Sequence, residues 1–304
     1  MREDERGLYY GPHENSFREV ESDAEIMRKL RKAELPKAVE NRERFERHLI
    51  LSDLQIPDHD VKAVEIIREQ LIPDLKPDVL HLNGDIMNFS EAGKYDLPLD
   101  FKTTLGDELN VAKDIIFGLV KSARKANPHC EVEWREGNHE FRLQKYLARN
   151  AQALAEIFDE YGDRVITVPH LMGLKENDIK WIPYYDHKKI GNCEIEHGDI
   201  VRSKSGYTAH AMLDRRGHSG MSGHTHRLAF ITRNQGGDEK FWIETGSLCN
   251  YNPTPQYVKD SDWVKGFAIA IYDKKTKILH PSLIMFQKDQ FAFNNKLYES
   301  EVSS

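Results

Sequence analysis

Cys130-Glu131-Val132-Glu133-Trp134-Arg135-Glu136-Gly137-Asn138-His139-Glu140-Phe141-Arg142 alternates in the manner of a strand as far as Arg135, then turns at a glycine that offers an amide and an imidazole side by side. The alternation predicts a strand over 130–135, and residues 140–158 read as an amphipathic helix behind the turn. Outward from this stretch the same order recurs. His48-Leu49-Ile50-Leu51-Ser52 suits a buried strand, residues 60–71 a helix stopped by Pro73 and Pro77, and Asp78 to Asn83 a second strand. Strand, helix, strand is the signature of a parallel unit, whose polar loops gather at the C-terminal ends of the strands. A polar loop over 89–104 and a helix over 107–126, closed by Asn127-Pro128, complete this half.

Beyond Gly162 the pattern becomes one of short strands, at 164–168, 179–183 and 192–196, then a helix over 208–216 and a largely antiparallel run at 228–232, 240–244, 267–272 and 278–285. The expected fold is α/β, a two-sheet sandwich flanked by helices, forming one domain over 48–290. A charged helical arm over 1–47, with Ile26, Met27 and Leu30 as a thin apolar stripe, precedes it, and a tail over 291–304 follows.

Composition narrows the setting. With 304 residues, 39% apolar and 31% charged, the chain reads as a soluble globular protein able to bury a sizeable core. Forty-three Lys and Arg against 50 Asp and Glu give a net charge of -7, so the chain as a whole lacks the footprint for tracking a long polyanion. Cys130, Cys193 and Cys249 are odd in number and widely spaced, as reduced thiols would be. With no signal-like start and no long apolar run, the expected location is the cytoplasm, and no membrane partner is expected.

Five short clusters carry the chemistry: Asp53-Leu54-Gln55, Gly84-Asp85, Gly137-Asn138-His139-Glu140, His197-Gly198-Asp199 and Gly223-His224-Thr225-His226. Carboxylate, amide oxygen and imidazole hold hard or borderline divalent ions, and two such ions can grip both oxygens of an in-line phosphoryl displacement. Asp85, directly after a strand and a glycine, can reach two ions, and His224 and His226 share a face of an extended segment.

In this order the clusters match the five motifs of the calcineurin-like metallophosphoesterases, which the chain resembles over about residues 48 to 250. The resemblance implies a four-layer αββα sandwich of two mixed β-sheets with a dinuclear centre at the strand ends. It implies Asp53, Gln55, Asp85 and His226 around one ion, and Asp85 as bridge with Asn138, His197 and His224 around the other. His139 is left to donate a proton to the leaving oxygen, with a metal-bridging hydroxide as nucleophile. The family pattern has His where this chain has Gln55. An amide oxygen is the weaker ligand, so the first ion is held less tightly or leans toward Mn²⁺ or Mg²⁺ over Zn²⁺, with Fe²⁺ and Ni²⁺ further candidates. The other reading leaves water in that position.

Around the centre, Arg142, His59, His210 and Arg227 are the substrate-side candidates, each with a surface, helix-face or capping role as its alternative. His59 could also replace Gln55 as a ligand. Glu140 is read as the acid of a helix first turn, with orienting His139 as its alternative role, and His81 as a hydrogen-bonded core histidine. Within that resemblance, Ile86-Met87-Asn88 lacks the Asp-Arg-Gly continuation of Ser/Thr protein phosphatases, which leaves the nuclease and small-phosphodiesterase branches in view along with general phosphatases; of these, the expected function is a phosphodiesterase or nuclease acting on DNA, RNA or nucleotides. The alternatives are a phosphomonoesterase or protein phosphatase, and a binding protein of the same fold that has lost turnover.

Overall fold

Leu49, Ile50 and Leu51 are all buried because the strand that carries them, β1 (Phe45–Leu51), is packed on both faces. The structure is a computed structural model describing residues 43–94, 97, 102–251 and 261–300. The described residues all fall within one compact unit. The expected arm over 1–47 lies outside the described residues as far as residue 42, and its last three residues belong to β1.

β1 sits within a six-stranded sheet of order β11-β10-β1-β2-β3-β4. β1 pairs in parallel with β2 (Val79–Asn83), β2 with β3 (Glu131–Arg135) and β3 with β4 (Lys180–Ile182); on the other side β10 (Gly266–Asp273) pairs antiparallel with β1, and β11 (Ile278–Met285) antiparallel with β10. On one face, Leu49 and Leu51 join a core with Ile67, Leu71, Ile116, Leu119 and Trp134, roofed by the helix Leu105–Ala126. On the other, Ile50 meets Ile195, Met221 and Ile243 of a second sheet. That sheet has the order β5-β6-β7-β9-β8, from β5 (Lys188–Ile190), β6 (Cys193–Glu196), β7 (Ser219–Ser222), β8 (Leu228–Gln235) and β9 (Asp238–Thr245). β6, β7 and β9 are parallel. Its outer face is covered by the helix Tyr207–Arg216, whose Ala209, Met212 and Leu213 pack on Trp242. The layers are therefore helix, sheet, sheet, helix, with both sheets mixed. Each fully buried aliphatic or aromatic side chain contributes roughly 1.5–3 kcal/mol on leaving water.

Local differences from the sequence expectation have tertiary causes. The helix starting at Val61 does not stop at Pro73. A wide π turn over Ile67–Leu71 leads into Ile72–Leu75, where proline sits in a first turn and its missing N–H costs little. The helix after His139 ends at Asn150, because Ala151 leaves helical geometry. Residues 164–168 are no strand: Arg164 forms an isolated bridge with Phe158, and Thr167 caps a short helix, Val168–Met172. β7 has no propensity pattern, yet it is a buried strand because β6 and β9 pair with it on either side and Gly220 leaves room for the Trp242 ring. A Cβ there would stand 2.4 Å from the ring. His81 is a core histidine, donating or accepting at His48 Nδ1 over 2.9 Å and facing Glu133 at 3.3 Å. All three cysteines are free and buried, and among the described residues no helix is long and apolar enough to cross a membrane.

The expected tail is in part a hairpin, β12 (Gln290–Phe293) with β13 (Lys296–Glu299). Phe291 is buried against Phe267, Phe286 and Tyr298, with ring centroids 5.2, 4.9 and 4.8 Å away. Tyr298 donates to Asp74 at 3.1 Å, tying the hairpin to the helix Ile72–Leu75. Phe291→Ala should therefore lower unfolding stability by about 3–5 kcal/mol in denaturant titrations. A loss below about 1 kcal/mol would mean that the hairpin lies outside the cooperative core.

Candidate metal centre

The parallel strands β1, β2 and β3 of one sheet, and β6 and β7 of the other, all release their chains at one edge of the sandwich. The five polar clusters are the first residues past those ends. Two contacts lock the edges together: Asn83 Nδ2 donates to the Glu196 carbonyl at 2.9 Å, and His197 Nδ1 donates to the Asn83 carbonyl at 3.0 Å. At Gly137 and Gly223 any side chain would collide with the site itself. A Cβ would stand 2.2 Å from the Asp85 nitrogen at the first, and 2.4 Å from Asp53 Oδ2 at the second. Asp53, Gln55, Asp85, His224 and His226 all hold left-handed backbone, with φ of 54°, 55°, 51°, 68° and 57°. Asp and His tolerate this region better than most residues, but five instances mark a place organised for side-chain aim more than for backbone comfort.

The structure brings the other six expected ligands around the carboxylate of Asp85. On its Oδ1 side, His197 Nε2 lies at 3.2 Å and in turn 3.3 Å from Asn138 Oδ1. The ligand atoms of Asp85, His197 and His224 lie within 4.8 Å of one another. On its Oδ2 side, Gln55 Nε2 lies at 3.3 Å and 3.4 Å from His226 Nε2, which is 3.3 Å from Asp53 Oδ1. The cluster thus divides into two sets that share Asp85.

The electrostatics fit cations. Burial disfavours every charge here, yet Asp85 raises His197 to about 9 and Asp53 raises His226 to about 10. Asp85 is held well below the usual carboxylate range, because His139 and His197 outweigh its burial. Two buried imidazoliums carry the positive charge that the carboxylates demand, and His224 Nδ1 is buried without a hydrogen-bond partner. Carboxylate, amide and imidazole in this arrangement suit one or two divalent ions of hard or borderline character.

Several residues that build the site do so in roles the sequence reading did not assign. Glu140 is not a first-turn acid acting on its own helix; its buried carboxylate accepts from the backbone N–H of Asp85 (3.0 Å), Ile86 (2.8 Å), Met87 (3.1 Å) and Gly137 (2.9 Å). Burial and Asp85 push it up to about 7 against those donors. Cys249 Sγ lies 3.6 Å from His226 Nδ1, a thiol where a ligating histidine usually finds an oxygen partner. Trp263 stands beside His226 with centroids 4.4 Å apart. Glu244 accepts from Thr225 Oγ1 at 2.8 Å and Gly206 N at 2.8 Å, steadying the turn that bears the paired histidines.

The outer candidates separate. Arg142 belongs to the site: it donates to the Asn88 carbonyl at 2.9 Å and to His139 Nε2 at 2.7 Å. The His139 proton then sits on Nδ1, and the longer 3.7 Å approach of Asp85 to the same Nε2 is the weaker claim. Burial, opposed by Asp85 and reinforced by Arg142, pushes His139 down to about 4. His59 turns Nδ1 to the Pro57 carbonyl at 3.1 Å, a local contact of its own loop. Two of the four candidates are occupied elsewhere. Arg227 is committed to Asp262 at 2.7 Å and to the carbonyls of Arg202 and Ser203, so it anchors a loop. His210 is exposed and faces Asp214 one turn along its own helix at 3.3 Å, because Ala209 and Met212 take the inward positions.

No protein-family model matches the chain. The gene 54 proteins of Mycobacterium phages D29 and L5 are 27% and 29% identical to it over 271 and 277 residues, in each case 83% of this chain and 98% of theirs. Among solved structures, Vps29 from Chaetomium thermophilum aligns with a TM-score of 0.40 at 14% identity, over 85% of this chain and 97% of its own. A dimetal phosphatase from Danio rerio aligns with a TM-score of 0.35 at 11% identity, over 81% and 94%.

Because His197 and His226 are charged at pH 7, metal uptake by their rings must displace protons. Calorimetric titration of Mn²⁺ in two buffers of different ionisation enthalpy should register release of about two protons at pH 7, with affinity rising with pH until about 9–10. Uptake without proton release would exclude these two rings as ligands.

Proposed function

We propose that the chain is a metal-dependent phosphoester hydrolase acting on phosphodiesters of nucleic acids or nucleotides. The observation that carries this reading is the gathering of Asp53, Gln55, Asp85, Asn138, His197, His224 and His226 at one edge, in two sets that share Asp85, with His139 and Arg142 beside them. Asp53, Gln55, Asp85 and His226 would hold one divalent ion, and Asp85, Asn138, His197 and His224 the other. Such ions supply Lewis acidity toward phosphoryl oxygens and lower the pKa of water. Mn²⁺ or Mg²⁺ suits the amide of Gln55 better than Zn²⁺ does.

The residues of the chain do the rest. Gln55 presents Nε2 to Asp85, and a half-turn of its terminal amide puts Oε1 there instead. Arg142 is the cation that a phosphate oxygen meets beside His139. A phosphate drawing Arg142 toward itself frees His139 Nε2 to take a proton from water, and its negative charge favours the ring so protonated. The imidazolium then gives its Nε2 proton to the leaving alkoxide, a step worth roughly 10²–10⁴-fold. The second reading is a binding protein that has lost turnover, and Gln55, with its amide nitrogen toward Asp85, is the observation in its favour.

Incubating the purified chain with bis-p-nitrophenyl phosphate and each of Mn²⁺, Mg²⁺, Zn²⁺, Fe²⁺ and Ni²⁺ separates the two readings. Hydrolysis is expected with Mn²⁺, and a folded protein inert with every ion would overturn the enzyme reading. His139→Ala should keep its metal content and slow turnover by roughly 10²–10⁴-fold on diesters with alkoxide leaving groups, and less on p-nitrophenyl esters. Loss of both ions in that variant would refute its role as proton donor. Gln55→His should tighten one of two Zn²⁺ binding steps in a metal titration; an unchanged titration would show that residue 55 is not a ligand.

A further inference from the structure

Phe141, two residues past His139, stacks on Tyr184 with centroids 5.5 Å apart and planes 8° from parallel. Tyr185 meets both rings edge-on, at 5.8 Å from Phe141 and 5.1 Å from Tyr184, and the residue is 72% exposed. Lys145 Nζ lies 4.7 Å from the Phe141 centroid. Beyond the two tyrosines opens a cavity of about 170 Å³, also lined by His187, His197, Arg215 and Arg216. His197 is common to this cavity and to the candidate centre, so the two adjoin at that residue.

The charges along the wall are unequal in freedom. Arg216 is tied to the buried carboxylates of Glu194 and Glu196, and His187 lies 3.1 Å from Glu194, so this side is internally neutralised. Arg215 is half-exposed, and its partner Asp199, 3.1 Å away, is equally so. A surface pair of this kind is worth at most about 1 kcal/mol and exchanges readily for a stronger anion.

Resting on the hydrolase reading above, we infer that this cavity is a nucleoside subsite: Tyr184 and Tyr185 stack the base adjoining the scissile phosphate, and Arg215 receives the next phosphate. Aromatic rings take any base by its π face, which suits a chain with a net charge of -7 that cannot rely on a broad basic surface. The cavity has room for one flat ring system. Arg215 lines the same cavity as the tyrosines, so a nucleotide whose base stacks there has a second cation within the cavity for its next phosphate, whereas a single phosphorylated side chain has nothing to place on it.

The test compares thymidine 5′-(p-nitrophenyl phosphate) with methyl p-nitrophenyl phosphate, which lacks the base. Tyr185→Ala should raise KM for the thymidine ester at least about fivefold more than for the methyl ester, and Tyr185→Phe should restore the difference. In parallel, calorimetric titration in EDTA should show thymidine 3′,5′-bisphosphate binding more tightly than thymidine 5′-monophosphate, an advantage lost in Arg215→Ala. Equal KM changes for the two esters, an unchanged bisphosphate advantage, or tighter binding of a phosphotyrosine peptide would each overturn the subsite. Hydrolysis of neither ester would refute the hydrolase reading, while the EDTA titration still decides the subsite.

Discussion

The carboxylate of Glu140, sealed from water, gathers four backbone N–H groups from two separate strand ends. Without it those donors would be buried and unsatisfied, each at a cost of roughly 1–3 kcal/mol. With it, the turn after β2 is fixed against the turn after β3, and Asp85 is held where its two oxygens reach opposite halves of the cluster. His139 N donates to Asp85 Oδ1 at 2.9 Å, so the same clamp sets the histidine against the carboxylate. The outer parts of the site, from Asp53 and His226 to Asn138 and His197, are placed relative to this junction.

That junction concentrates features that oppose folding. Five residues hold left-handed backbone. Carboxylates and imidazoliums are buried together. Charges of opposite sign in a low-dielectric setting are tolerable only while each remains paired, which is why these groups resist being read as a stabilising ion-pair network. Stability comes from elsewhere: from the apolar layer between helices and the first sheet, from the smaller layer between the sheets, and from the aromatic cluster of the C-terminal hairpin. The separation of a rigid apolar scaffold from a strained polar edge is what a site built for chemistry requires.

Aromatic rings flank the polar edge on both sides, Trp263 beside His226 and Phe141 with Tyr184 beside His139 and His197. Neither group lies in a motif, and neither has a spacing that distinguishes it from core aromatics.

The sequence by itself determined the inventory: which side chains could meet a metal or phosphate, that each follows a strand, and that strands and helices alternate into a layered α/β fold. This was legible because ligand chemistry admits few residue types and because buried parallel strands such as Leu49–Leu51 are unmistakably apolar. Tertiary structure alone decided what the neighbours of those residues do. Glu140 reads locally as a helix acid, and three of its four backbone partners lie more than 50 positions away. Arg227 and His210 carry suitable chemistry, but Asp262 and the buried face of the helix Tyr207–Arg216 direct them elsewhere. β7 becomes a strand only because β6 and β9 supply its hydrogen bonds and Trp242 covers its glycine. The physical reason is the same in each case: side-chain type is local, whereas burial, pairing and charge environment are set by contacts remote in sequence.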